Sequence, residues 1–136
     1  MAEAFGKSWV REMSSQHPGI ADVQIWSRGL TDDYEPPGSP ASEHGVSILR
    51  DDYGIDNSQH VSKLITEEDV MAASYIIGVT VSHAQVIKQA FPAAASKVFV
   101  LSKNVADPWH SSLDVYRACA TSMKPLVYEA LTALLL

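Results

Sequence analysis

An α/β fold, three-layered with a mostly parallel sheet flanked by helices, is what this sequence predicts. "ASYIIGVTV" (73–81) and "KVFVLS" (97–102) are continuous apolar, β-branched runs, the pattern of strands covered on both faces. Amphipathic helical stretches alternate with strand-like ones from end to end, which is the order that builds βαβ crossovers. Nothing repeats, and no low-complexity linker divides the 136 residues, so a single domain spanning 1–136 is expected.

The elements follow in order. "MAEAFGKSWVREM" places Ala2, Phe5, Trp9 and Met13 three or four apart, with Glu3, Lys7, Arg11 and Glu12 on the remaining faces, so it reads as a helix. No Ser, Thr, Asp or Asn precedes it as a cap, and no strand leads into it. "ADVQIWSRG" is β-rich and stops at Gly29, and "LTDDYEPPGSP" is a loop with turn chemistry throughout. Ser39-Pro40 reads as a helix start, with the helix running through "ASEHGVSILRDDY" to Gly54 as its stop. Thr66 with Asp69 is a capping box for a short helix, and Ser82 with Gln85 reads as a second one for "HAQVIKQAF", which Pro92 ends. After "KVFVLS" a loop through Asp107-Pro108-Trp109 leads into a long last helix. Its inner stripe is Leu113, Tyr116, Ala120, Met123, Val127, Ala130 and Leu134, with Pro125 as a kink.

Composition narrows the function. A net charge of -6 argues against general nucleic-acid binding, which draws on a basic face. "LTALLL" falls far short of the roughly 18 apolar residues of a membrane span, so no membrane partner is expected. The single cysteine, Cys119, excludes an internal disulfide and fits a reducing compartment, and the start lacks a signal-peptide pattern, so the expected location is cytoplasmic. His17, His44 and His110 do not cluster, and neither a metal nor a cofactor is expected. Tyr34 and Tyr53 are tyrosines open to phosphorylation, a weak signal on its own.

"MAEAF", "SRG", "GIDNSQHVSKLITEED", "YIIGV", "KVFVLS" and "DPWHSSLDVY" occur in an order and spacing that resembles the low-molecular-weight protein tyrosine phosphatases over essentially the whole chain. In that family Met-Ala-Glu-Ala follows directly on the phosphate-binding loop Cys-x-x-x-x-x-Arg-Ser-Pro. The resemblance therefore implies an N-terminally truncated domain, lacking the first strand and that loop, with the first helix capped by the loop in intact relatives. It implies hydrolysis of phosphotyrosine protein or of a small aryl phosphate. Asp107 then corresponds to the general acid, Trp109 to the aromatic wall of the substrate slot, Ser27 to the hydroxyl that buttresses the phosphate loop, and His60 to a histidine that orients structure beside it. Arg28 stands where the family keeps a small residue, and Thr80 and His83 replace its Asp and Asn.

No nucleophile can be assigned. Cys119 in "YRACATS" is spaced as a helical core or core-edge thiol. The 136 residues are thus expected to be inactive as they stand, the alternatives being an enzyme once strand and loop are present, or a non-catalytic binding or scaffolding module. A related arsenate reductase fits less well, since those enzymes need several redox cysteines. The resemblance implies a sheet of strand order 2-1-3-4 without its first strand, so "DVQIWS" and "SYIIGV" are expected to close the gap or to self-associate through exposed edges.

Overall fold

The computed structural model describes residues 1–30, 42–105 and 111–136. Helix α1 (Ala2–Met13) packs on the long C-terminal helix α5 (Leu113–Leu135), and α2 (Glu43–Tyr53) lies against the same helix. Phe5, Trp9, Ile48, Leu49, Tyr116, Ala120, Met123, Val127 and Leu131 fill the main core. Trp9 is fully buried, and its indole N–H donates to Thr132 Oγ1 at 3.2 Å, tying α1 to α5. The inner stripe of α5 is as expected through Val127. It then passes to Leu131, while Leu113 is exposed and Ala130 and Leu134 are half-buried. The helix runs on through Pro125, which supplies no N–H to the Thr121 carbonyl.

Strands β1 (Ile76–Gly78) and β2 (Val98–Val100) pair in parallel, Ile76 beside Val98 and Gly78 beside Val100. Their side chains divide the core. Ile77, Val79 and Leu101 join the α1/α2/α5 side, while Ile76 and Val98 join Ala84 and Ile87 of α4 (Val81–Ala90) on the other. This is the three-layer arrangement with a crossover helix between parallel strands. Full burial on both faces is corrected for β2: Phe99 and Val100 are each 38% exposed, because this strand is paired on one side only among the described residues. The Phe99 ring instead meets Tyr75 at 5.9 Å.

Caps set the helix ends. The start expected at Ser39-Pro40 lies outside the described residues, and Ser42 caps α2 by accepting the Gly45 N–H. Gly54 ends that helix at φ 66°, a left-handed conformation in which a side chain is strained, and its N–H returns to the Arg50 carbonyl. The Thr66–Asp69 capping box on α3 (Glu67–Ala72) forms with both bonds present. For α4 the cap is Thr80, whose hydroxyl accepts the His83 N–H, and not Ser82 with Gln85. Both positions carry a hydroxyl residue followed three later by a polar one; the earlier is used because Gly78 ends β1 two residues before it. A 3-10 turn over Pro18–Asp22 carries no helical periodicity in the sequence.

The expected strand at 21–29 is also corrected. Val23 has extended backbone dihedrals, and Val23, Ile25 and Ser27 alternate inward against exposed Gln24 and Trp26, yet among the described residues the segment joins no ladder. Among the described residues Gly29 alone bridges, in parallel, to Leu64. The propensity of the segment is met, but a ladder needs a neighbouring strand, and none stands beside it among the described residues. The gap is not closed by pairing with β1. The segment is held from below instead, where α1 approaches so closely that a Cβ on Gly6 would lie 2.8 Å from Ile25 Cγ2.

Candidate functional site

The first turn of α1, the end of the extended segment and the loop before α3 meet at one carboxylate. Glu3 Oε1 accepts the Ser27 backbone N–H at 2.8 Å and lies 3.4 Å from the Ser27 hydroxyl. Its other oxygen, Oε2, is 3.0 Å from His60 Nδ1 and 3.6 Å from Lys7 Nζ. The Glu3 side chain is 13% exposed. A carboxylate so placed gains from the partial positive charge of the helix start, where α1 itself has no side-chain cap. It also satisfies a backbone donor that would otherwise face the unpaired side of the segment.

Ser27 and His60, two of the four site residues expected from the sequence, are therefore brought together through Glu3. Asp107 and Trp109, the expected acid and slot wall, lie outside the described residues. Glu3 stands within "MAEAF", one of the stretches that carries the family resemblance, yet nothing in the sequence marks a glutamate of a first helical turn as a site residue without its partners.

Arg28, which departs from the family pattern, has a physical account. Its Nε lies 3.0 Å from Asp69 Oδ2, Nη1 donates to the Ser27 carbonyl at 2.7 Å, and the guanidinium sits 4.4 Å over the Trp26 ring. The side chain is thus spread along the segment and clamped to the start of α3. Burial alone would raise the Asp69 pKa, but bonds from the Thr66 backbone and from Arg28 outweigh it and hold this carboxyl below its ordinary value. Thr80 caps α4, and the Val81 N–H beside it donates to Asn104 Oδ1 at 3.0 Å, so the replaced rim positions serve the helix start.

Cys119 is half-buried within α5. Six residues after it stands Pro125 in place of an arginine, so the one cysteine of the sequence does not open a Cys-x-x-x-x-x-Arg loop. No helix of the described residues is long and apolar enough to cross a membrane.

The likeness to known proteins runs over the whole chain. A protein-arginine-phosphatase of Bacillus subtilis (strain 168) is 29% identical, with 95% of this chain and 83% of that protein covered. Its counterpart from Geobacillus stearothermophilus is also 29% identical, over 84% of this chain and 76% of its own. Among solved structures, a YwlE mutant from Bacillus subtilis superposes with a TM-score of 0.81 at 28% identity, covering 98% of this chain and 87% of the other. A low molecular weight protein tyrosine phosphatase from Streptococcus pyogenes gives 0.80 at 25% identity, covering 99% and 83%. The sequence profile of the low molecular weight phosphotyrosine protein phosphatases matches residues 1–135, and the chain belongs to that family.

Proposed function

We propose that this chain carries the acid-bearing and loop-supporting part of a phosphatase site that acts on a phosphorylated protein side chain, and that its 136 residues by themselves do not turn over. The family match across residues 1–135 is the observation that carries this reading. In it, a thiolate attacks phosphorus, the bond to the leaving atom breaks, and Asp107 gives that atom its proton. Asp107 then takes the proton of the water that releases phosphate. Trp109 walls the slot, and Ser27 and His60 support the phosphate-binding loop. The substrate is phosphotyrosine or a small aryl phosphate by family, or phosphoarginine by likeness to the two relatives named for it.

The chemistry needs a thiolate at a helix start, a ring of backbone donors and an arginine fork. The sequence holds one cysteine, and no arginine stands where its loop would require one. Removing a single donor from such a cradle costs about 10²–10³ in rate; without nucleophile and cradle together, p-nitrophenyl phosphate remains intact. Joining the strand and Cys-x-x-x-x-x-Arg-Ser loop of a relative ahead of Met1 restores turnover, and Asp107→Asn then lowers it by about 10²–10⁴. Phosphotyrosine and phosphoarginine peptides compared on the joined protein identify the substrate. Turnover by the 136 residues that is lost in Cys119→Ser overturns the reading.

That Cys119 is half-buried in mid-helix favours, as the second reading, a non-catalytic binding or scaffolding module. A joined protein that binds phosphopeptide without hydrolysing it selects this alternative. The same proposal places the protein in the cytoplasm as a single domain over 1–136, able to self-associate through the edge of Val23–Arg28. Light scattering that gives only monomer at high concentration removes the last part.

A further inference from the structure

Ser27 is held by its backbone more than by its hydroxyl. Its N–H donates to Glu3 Oε1 at 2.8 Å and its carbonyl accepts from Arg28 Nη1 at 2.7 Å, both distances of charge-assisted bonds. The hydroxyl stands 3.4 Å from the same carboxylate oxygen, a long contact for an O–H donor. One residue thus sits between a carboxylate and a guanidinium. The segment that carries it joins no ladder among the described residues, so these two side chains satisfy backbone groups that a neighbouring strand would satisfy in a sheet.

The guanidinium is itself anchored. Nε donates to Asp69 Oδ2 at 3.0 Å, the same oxygen that accepts the Thr66 N–H at 3.1 Å in the capping box of α3, and the Trp26 ring lies 4.4 Å beneath it. The Arg28 and Asp69 side chains are each 20% exposed, so water screens this pair less than a surface pair. We infer that Arg28 is a positioning residue of the site: its planar fork brackets the Ser27 carbonyl to the first turn of α3 and so fixes the backbone from which the Ser27 hydroxyl projects. A lysine ammonium is a single point charge and cannot hold Asp69, the carbonyl and the Trp26 face in one geometry. A small residue, as in the family pattern at this position, has no atoms that reach either partner. That Ser27 so fixed supports a phosphate-binding loop rests on the phosphatase reading; the bracket does not.

Amide hydrogen exchange of the full chain, read by NMR at Ser27 and at Ala120 in the α5 core, tests the bracket without any activity. In Arg28→Ala and in Arg28→Lys alike, the Ser27 amide is expected to exchange about tenfold faster relative to Ala120, because its bond to Glu3 then has no fixed carbonyl behind it. An unchanged Ser27 amide overturns the inference. Equal acceleration at Ser27 and Ala120 also overturns it, by making Arg28 a residue of general stability, and so does protection that survives in Arg28→Lys, by assigning the effect to charge alone. Should Arg28→Ala not fold, Arg28→Lys decides. In the loop-joined protein, Arg28→Lys is expected to lower kcat several-fold with KM little changed, and to add nothing in a Ser27→Ala background; an equal loss in both backgrounds overturns the assignment to Ser27. A joined protein without turnover defeats the phosphatase reading, while the exchange result decides the bracket, so the two can fail independently.

Discussion

The close approach of α1 to the Ser27-bearing segment is measurable through Gly6. In an exposed helix interior, Gly→Ala is stabilising by about 1 kcal/mol, because it removes backbone entropy from the unfolded chain. Here the added Cβ lies 2.8 Å from Ile25 Cγ2 and 3.6 Å from Cγ1. Ile is stiff at χ1, so the methyl cannot swing aside cheaply, and overpacking of this kind costs about 1–3 kcal/mol. The clash wins: Gly6→Ala is expected to destabilise by about 1 kcal/mol net. Ile25→Ala removes the obstructing atom, and in that background Gly6→Ala becomes stabilising by about 1 kcal/mol, a coupling of about 2 kcal/mol. Urea denaturation of the four proteins in the cycle gives these values directly. If Gly6→Ala stabilises equally in both backgrounds, α1 does not press on this segment, and the account of how Ser27 reaches Glu3 is refuted.

Trp9→Ala removes a fully buried indole and leaves the Thr132 hydroxyl without its donor, for an expected loss of about 3–5 kcal/mol by the same denaturation. Gly54→Ala meets open space but keeps φ near 66°, and a fall in stability of about 1–2 kcal/mol, seen as a lowered Tm, reports that strain. Thr80→Ala costs about 1 kcal/mol and Ser82→Ala close to nothing; the opposite order would return the cap to Ser82. Asp69 has a folded-state pKa below its ordinary value, so its contribution is present above the usual carboxylate range and is lost as pH falls through the lowered value. Asp69→Asn is therefore expected to flatten acid unfolding in that window, and an unchanged acid limb in circular dichroism excludes the role.

Features that depend on neighbours along the chain are written in the sequence. The period of α1, that of α5 through Val127, the Thr66–Asp69 box and the left-handed stop at Gly54 are local patterns that stand where the residues predict them, and β1 and β2 form inside the two predicted apolar runs. The family was legible for a related reason, since motifs such as "MAEAF" and the run from Gly54 to Asp69 are read in order along the chain. The tertiary structure decided what depends on residues far apart. A strand exists only with a partner, so Val23–Arg28 had the composition and alternation of a strand yet formed no ladder among the described residues. Exposure of Phe99 and Val100 goes with pairing on one side only among the described residues, which no local pattern encodes. Two adjacent capping candidates before α4 were separated only by where β1 ends. The role of Glu3 is the strongest case: its partners Ser27 and His60 lie 24 and 57 residues away, and a carboxylate bonded across such separations acquires its meaning from the fold that brings them together.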